Sequence, residues 1–435
     1  MVVRMSQTRS IHNSLELWKR ATKVIHTGTQ TASKNPDQFV QGVYPIYVQR
    51  GKGSHVFDVD GNEYIDYPCA LGAIFLGYGY KPVVEAIQKQ AEEGVIFSLI
   101  HPLEVELAEL LVEAIPGAEK VKFFKNGADA TNAAVRIARA YTGREKIAAC
   151  GYHGWQDWYI ISSEKNKGVP KVLKEYLHKF EYNKIETLQK IFEENKGQIA
   201  AVIMEPMTID EPQDNFLGKV RDLAREHGAL LIFDEMVTGF RFGLGGAQQH
   251  FKITPDLSCF GKSIANGMPL SITVGKEEIM SKTEDLFMST TFGGEAASLA
   301  AAVATIKEMK QKDVVGHIWK VGAMFKEGYN SLAQKVGVNT QSNGTPPLQR
   351  LSFKDSSGNA SAEIKSLFLQ ETIKRGVLLG NVVFFNYSHS EEDIKKTLDA
   401  CEAALRIIKE ATEKGNMKEL IEGKLAGEVF RQRAQ

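Results

Sequence analysis

The sequence predicts an α/β protein: a mostly parallel central sheet with helices on both faces, plus a small α+β domain from both chain ends. Three observations carry this. Short apolar runs alternate with helical patterns through the middle of the chain. Ile199–Met204 and Ala229–Phe233 are unbroken apolar runs of strand length, as parallel strands are when both faces are covered. Between them Leu217, Val220, Leu223 and Ala224 mark a crossover helix closed by Gly228, completing a right-handed βαβ unit.

In chain order, the first recognisable element is a hairpin. Val56–Val59 and Glu63–Asp66 flank Asp60-Gly61-Asn62, and the Asp-Gly pair suits the positive φ angles of a tight turn. Helical patterns follow from Pro82 to Glu93, ended by Gly94, and from Glu104 to Ile115, ended by Pro116-Gly117. Val121–Phe124 reads as a strand, Asn126-Gly127 as a turn, and Asp129–Tyr141 as a helix whose apolar positions share one face. Beyond Ile306 come helices and weaker strands (Leu348–Phe353, Val382–Tyr387), then a charged tail after Thr412. That tail, with Lys414, Lys418, Glu419, Glu422, Lys424, Glu428, Arg431 and Arg433, reads most simply as a solvated helix. The expected division is 1–66 and 308–435 for the small domain and 67–307 for the large one.

Composition narrows the function classes. The chain has 435 residues, 43% of them apolar, and its 53 basic residues balance 53 acidic ones. That length can bury roughly three-quarters of the unfolded surface without disulfides or a metal clip. Zero net charge argues against nucleic acid and against a polybasic membrane anchor. Cys69, Cys150, Cys259 and Cys401 have no CxxC or metal-ligand spacing and read as free thiols in a reducing compartment. The N-terminus has Arg4, Arg9 and an amphipathic stretch (Leu15, Leu17, Trp18, Val24, Ile25) but no secretory h-region, and no apolar run approaches a membrane span. A cytoplasmic protein without metal is expected.

Ligands of open parallel sheets sit at the carboxyl ends of strands, and four features fall there. Lys125-Asn126-Gly127-Ala128-Asp129 joins a strand to a helix, and its free N–H groups favour an anion such as phosphate. A plain turn with Asp129 as a first-turn acid is the bland alternative. Asp234-Glu235 follows a buried run, where a carboxylate is costly unless paired, although an N-cap or a surface salt bridge would also place it there. Phe260-Gly261-Lys262-Ser263 offers a lysine that burial would make nucleophilic; a lone lysine is more often a solvated turn residue. Tyr152-His153-Gly154-Trp155 could stack on a planar ring or merely cap the sheet. Together they supply a phosphate cradle, a carboxylate for a pyridinium nitrogen, an amine for an aldehyde and an aromatic platform, the four requirements of pyridoxal 5′-phosphate.

From about Val56 to Ile306 the sequence strongly resembles the class III aminotransferases among the fold-type-I pyridoxal-phosphate enzymes, above all the glutamate-1-semialdehyde 2,1-aminomutase-like proteins. The matching segments include Phe57–Asn62, Leu103–Leu110, Arg136–Arg144, Tyr152-His153-Gly154, Glu205-Pro206, Leu231–Glu235, Thr238–Arg241 and Thr254–Leu257. The 28-residue spacing from Asp234 to Lys262 also fits. The resemblance implies that Lys262 holds the cofactor as a Schiff base and shuttles a proton, while Asp234 pairs with the pyridine nitrogen. It implies that Asn126, Gly127 and Ala128 cradle the phosphate and that Tyr152 stacks on the ring. Thr291 would reach the phosphate of a neighbouring subunit, making a homodimer the active unit. Glu205 would lie near the substrate, though a Glu before Pro after a strand is also a structural position.

Departures from the family pattern bear on substrate. The phosphate loop has Asn126-Gly127-Ala128 where Ser-Gly-Thr or Ser-Gly-Ser is usual, and Met236 replaces the usual Val. The aminomutase's substrate-binding Ser and Arg fall in a segment that aligns with Gly28-Thr29-Gln30-Thr31-Ala32-Ser33-Lys34, which puts Thr31 and Lys34 at those positions, and lysine lacks the bidentate fork of arginine. Leu71 stands in place of a tryptophan, and the long lid shrinks to Ser162–Pro170. A mutase must trap its intermediate whereas an aminotransferase releases it. The expected function is therefore transfer of an amino group from an amino-acid donor to a carbonyl acceptor, a sugar or other polar small molecule. Intramolecular transfer by an aminomutase is the alternative. A non-catalytic binding or scaffold protein on this fold would be expected to lose the lysine or the aspartate, and both are present.

Overall fold

The computed structural model describes residues 9–427, which form two compact units. One comprises residues 81–315; the other joins the residues up to Tyr80 with those from Gly316 onward.

The 81–315 unit is built on seven strands: β1 (Lys120–Phe124), β2 (Lys146–Cys150), β3 (Leu177–Lys179), β4 (Ile199–Met204), β5 (Leu230–Asp234), β6 (Leu257–Phe260) and β7 (Ser271–Gly275). Their order is β1-β7-β6-β5-β4-β2-β3. All neighbours are parallel except β7, which runs antiparallel to both β1 and β6. The apolar runs are unbroken because successive residues serve opposite faces. Ile147, Ala149, Ala201, Ile203 and Ile232 pack on one side with Ala130, Ala133, Ala134, Ile137 and Ala138 of the helix Gly127–Thr142. Ala148, Val202, Met204, Leu231 and Phe233 pack on the other with Leu188 and Phe192 of Ile185–Glu194 and Leu217 and Val220 of Phe216–Glu226. A polar residue in either register would lie in an apolar layer, so alternation is lost.

One boundary differs from the sequence expectation in a way that matters. The helix expected from Asp129 begins at Gly127, so Asn126-Gly127 is a helix start rather than a separate turn. Asp129 Oδ2 accepts from both the backbone N–H and the side-chain amide of Asn126 (3.0 and 3.1 Å), and this closes the first turn early. The strand expected over Val382–Tyr387 is also shorter, only Val383–Phe384. Asn386 diverts the chain: its Oδ1 accepts from Ser388 N (3.0 Å) and its carbonyl from His389 N (3.1 Å).

The other unit brings the chain ends together in one sheet. The expected hairpin forms between His55–Asp58 and Glu63–Asp66, and Val377–Leu378 pairs in parallel with the second strand. The amphipathic N-terminal stretch forms the helix His12–Val24, whereas Arg4 lies outside the described residues. The charged tail is not a free helix. The helix Glu391–Lys414 stops at Gly415, in the left-handed conformation, and the chain then returns along the helix Ala362–Lys374. Gln370 Nε2 donates to the Leu420 carbonyl (2.8 Å) and Ala426 N to Ser366 Oγ (2.9 Å). Glu428, Arg431 and Arg433 lie outside the described residues. Among the described residues no helix is long and apolar enough to cross a membrane.

A charge cluster fixes the start of Glu391–Lys414. Asp393 Oδ2 accepts from Ser390 N (2.9 Å) and Ser54 Oγ (3.0 Å), and its Oδ1 meets His55 Nε2 at 3.1 Å. His55 Nδ1 lies 2.9 Å from Glu63 Oε1. Hydrogen bonding to Asp393, against the opposing effect of burial, raises the His55 pKa. A raised folded pKa contributes stability that is complete below the unfolded value of about 6.5 and lost as pH rises through the folded value. Wild type should therefore exceed His55→Gln in thermal midpoint most at about pH 6, with the gap closing in alkali. A gap that stays constant across that range in a melting series would remove His55 from the cluster's energetics.

Candidate active site

Most of the candidate residues of the 81–315 unit stand at or just beyond strand ends. Asp234 closes β5, Glu205 follows β4, Tyr152-His153 follow β2, and Lys262 follows β6 after Gly261. Asn126, Gly127 and Ala128 sit beyond β1, where the helix begins. The order β1-β7-β6-β5-β4-β2 thus explains how residues far apart in sequence meet.

Asp234 is buried and each of its carboxylate oxygens has one partner, which leaves acceptor capacity for another. Oδ1 accepts from Met236 N (3.1 Å) and Oδ2 faces His153 Nδ1 at 2.8 Å. The other ring nitrogen of His153, Nε2, lies 3.1 Å from the Cys150 carbonyl. A carbonyl can only accept, so Nε2 carries a proton, and the bond to Asp234 requires a second proton between ring and carboxyl. Thr131 Oγ1 holds the His153 carbonyl (2.8 Å), binding this turn to the helix. Gly154 makes that approach possible: at φ +105° it lies so close to Ala128 that a Cβ would come within 2.6 Å of the Ala128 Cβ. The alanine that replaces the usual hydroxyl residue is therefore itself in van der Waals contact with the turn bearing Tyr152.

Lys262 has φ +43°, a left-handed backbone rarely adopted by a non-glycine residue. Its Nζ makes no hydrogen bond or ion pair among the described residues, and its pKa is lowered by burial, against the opposing charges of Asp234 and Glu205. An amine in this state is a better nucleophile than a solvated lysine. Glu205 is likewise shifted upward, first by burial and then by the Asp234 charge. Its Oε1 accepts from Tyr152 N (2.8 Å), and a Cβ on Gly151 would come within 2.5 Å of that oxygen. Glu205 therefore braces the turn that carries Tyr152, whose side chain stays about half exposed.

Four residues without a role in the sequence reading complete the frame. His153 was read only as part of an aromatic turn. Glu235, fully buried, caps the short helix Ala247–Phe251 by accepting from Ala247 N (2.9 Å) and Gln248 N (2.8 Å), and it also bonds Thr238 Oγ1. Burial pushes its carboxyl up to about 7. Of the bland readings of Asp234-Glu235, the N-cap thus applies to the second residue and not the first. Arg241 is buried and donates from Nη2 to Ser263 Oγ (3.2 Å), beside Lys262. The available signal was an arginine within the buried pattern Phe240–Phe242. Met236 lies between two glycines: Cβ atoms on Gly127 and Gly261 would come within 2.8 and 2.6 Å of its Sδ.

Thr291 lies in the exposed loop before the helix Ala296–Gln311, outside the cluster around Lys262. Lys34 ends a short turn, Ala32–Lys34, in the unit containing both chain ends, and is exposed. No group of three metal-binding side chains occurs among the described residues. The donor set does fit pyridoxal phosphate. An amine without a partner, a buried carboxylate backed by a donor ring, and a helix start opened by a glycine match its aldehyde, ring nitrogen and phosphate.

The arrangement defines a fold-type-I pyridoxal-phosphate enzyme, and the similarities to known proteins agree. The profile of the family described as aminotransferase class-III matches residues 39–417, so the chain belongs to the pyridoxal-phosphate-dependent class III aminotransferases. It is 35% identical to the 3-aminobutyryl-CoA aminotransferase of Cloacimonas acidaminovorans (strain Evry), over 93% of this chain and 99% of that protein. It is 34% identical to the glutamate-1-semialdehyde 2,1-aminomutase of Desulforamulus reducens, over 91% and 98% of the two chains. Among solved structures, the FumI protein of Sphingopyxis sp. MTA144 superposes with a TM-score of 0.88 at 27% identity, covering 98% of this chain and 100% of that one.

Replacing His153 by Phe leaves the Asp234 carboxylate buried without its ring partner. The expected loss is about 1–3 kcal/mol of stability, measured by denaturant unfolding of the protein free of cofactor. A change within ~0.5 kcal/mol would mean the His153 bond contributes nothing to holding Asp234.

Proposed function

We propose that this protein is a two-substrate aminotransferase, moving an amino group from an amino-acid donor to a carbonyl acceptor with Lys262 and Asp234 as its catalytic groups. The observation that carries this reading is a desolvated, unpartnered lysine amine set beside a buried carboxylate that His153 supports. When bound, pyridoxal phosphate supplies an electron sink for the bonds around the substrate's amine-bearing carbon. Lys262 would hold its aldehyde carbon through Nζ and, once freed by the donor amine, move a proton at the substrate carbon. Burial favours the neutral amine that both tasks need.

Asp234 would face the pyridine nitrogen and keep a proton there. Asn126, Gly127 and Ala128 would hold the phosphate with backbone donors at the helix start, and Tyr152 would cover one ring face. Thr291 would complete the phosphate site of a second copy, so the active unit is a homodimer. Glu205 would line the substrate side with one oxygen already engaged by Tyr152 N, and Lys34 would meet a substrate carboxylate as a point charge. The four cysteines are buried and none is in a disulfide, which supports a cytoplasmic setting.

Release of the half-reacted product is supported by the segment expected to act as a lid. Ser162–Pro170 closes on itself in short turns, with Asn166 Nδ2 on the Ile161 carbonyl (3.0 Å) and Val169 N on the Asn166 carbonyl (3.1 Å). The acceptor proposed is a sugar or other polar carbonyl compound. The acyl-CoA relative adds a β-amino thioester to the donors worth screening. The aminomutase reading rests on the 34% identical relative, and incubation with glutamate-1-semialdehyde followed by assay for 5-aminolevulinate separates the two.

In an absorbance screen, a matching amino donor should convert the lysine-bound cofactor band to that of pyridoxamine phosphate, with one keto product released per site. Absence of any such conversion across amino-acid and amino-acyl donors would sink the two-substrate reading. Lys262→Ala should abolish covalent attachment. Asp234→Ala should retain cofactor while turnover falls by about three orders of magnitude or more, because nitrogen protonation and not attachment is lost. Turnover near wild type in Asp234→Ala would remove that residue's role.

A further inference from the structure

One ion pair near the helix start has no part in this scheme. Lys125 immediately precedes Asn126–Ala128, and its Nζ lies 3.0 Å from Glu295 Oε2, with both side chains largely buried. Glu295 is in turn the cap of the helix Ala296–Gln311. Its Oε1 accepts from Ala297 N (2.7 Å), and its Oε2 accepts from Ser298 N (3.2 Å) and Ser298 Oγ (2.5 Å). These bonds and the charge of Lys125 hold its carboxyl below the usual range against the effect of burial.

The loop that Glu295 ends is pressed against the strand that Lys125 follows. A Cβ on Gly293 would come within 3.1 Å of the Phe123 carbonyl, and one on Gly294 within 2.3 Å of Glu104 Oε1. Its tip differs from its base: Thr291 and Phe292 are exposed, and nearby Phe287 is 85% exposed. On the other side Ser271 Oγ fixes the Asn126 carbonyl at 2.7 Å. The helix start at Asn126–Ala128 and the loop at Thr290–Gly294 are thus joined at their bases by the Lys125–Glu295 ion pair.

We propose that Lys125 and Glu295 are positioning residues for cofactor phosphate, coupling the loop that holds the chain's own phosphate to the loop that Thr291 extends toward a second copy. This rests on the cofactor reading above. Neither side chain is assigned a phosphate contact: they act by fixing where the two loops start. The pair is shielded from solvent, so its loss is not replaced by water as it would be at an exposed site.

The test is binding of pyridoxal phosphate and of pyridoxal, which lacks the phosphate, to the full-length protein stripped of cofactor, followed by absorbance. Glu295→Gln keeps an oxygen for the helix cap and removes the charge; Lys125→Met removes its partner. Each is expected to weaken pyridoxal phosphate binding about tenfold while pyridoxal binding stays within about twofold. The double variant should be no weaker than the weaker single one, as for two residues acting through one contact. Equal weakening of both ligands, no weakening, or additive losses would each overturn the proposal. Wild-type protein that binds pyridoxal as tightly as pyridoxal phosphate would overturn the phosphate-site reading itself, and the proposal with it.

Discussion

Burial of charge at the strand ends is the constraint on which the rest of the 81–315 unit depends. Asp234 and Glu235 are buried and Glu205 is partly buried, and each must find donors or remain costly. The structure resolves the three differently. Asp234 takes His153 and Met236 N, Glu235 takes a helix start and a threonine, and Glu205 takes the Tyr152 amide. The lysine between them is left without a donor or acceptor of its own. An ion pair with any one carboxylate would have kept its amine charged and bound; instead the acids are committed elsewhere and desolvation lowers its pKa.

The same constraint explains the glycines that matter. Gly154 lets the His153 turn rest on Ala128, and Gly151 leaves room for the Glu205 carboxylate. Met236 lies against Gly127 and Gly261, joining the helix start to the segment before Lys262. Its flexible thioether fills an irregular gap where a branched side chain would leave different space. The helix start, the segment before Lys262 and the turn carrying Tyr152 are therefore held by close packing at these glycines.

Much of this was legible in the sequence because strands and site motifs have strong local signatures. The runs Ile199–Met204 and Ala229–Phe233 fall on strands, since two-sided burial demands continuous apolar residues. Lys262 and Asp234 were identifiable from motif order and spacing. What local pattern could not reveal was partnership. His153 with Asp234, Glu235 with the helix at Ala247, and Lys125 with Glu295 join residues 81, 12 and 170 positions apart. The tail beyond Lys414 shows the same limit: its described charged side chains are exposed, as their pattern suggested, but contacts to the helix Ala362–Lys374, which local pattern does not encode, determine its path.

The central claim is that Lys262 presents to the cofactor aldehyde an amine whose pKa is lowered by burial and which has no hydrogen bond or ion pair among the described residues. Borohydride reduction of the protein loaded with pyridoxal phosphate, followed by peptide mapping, tests it most directly. The account requires a single phosphopyridoxyl group per chain, located on Lys262. Modification spread over surface lysines, or concentrated on another residue while Lys262 remains unmodified, would contradict it.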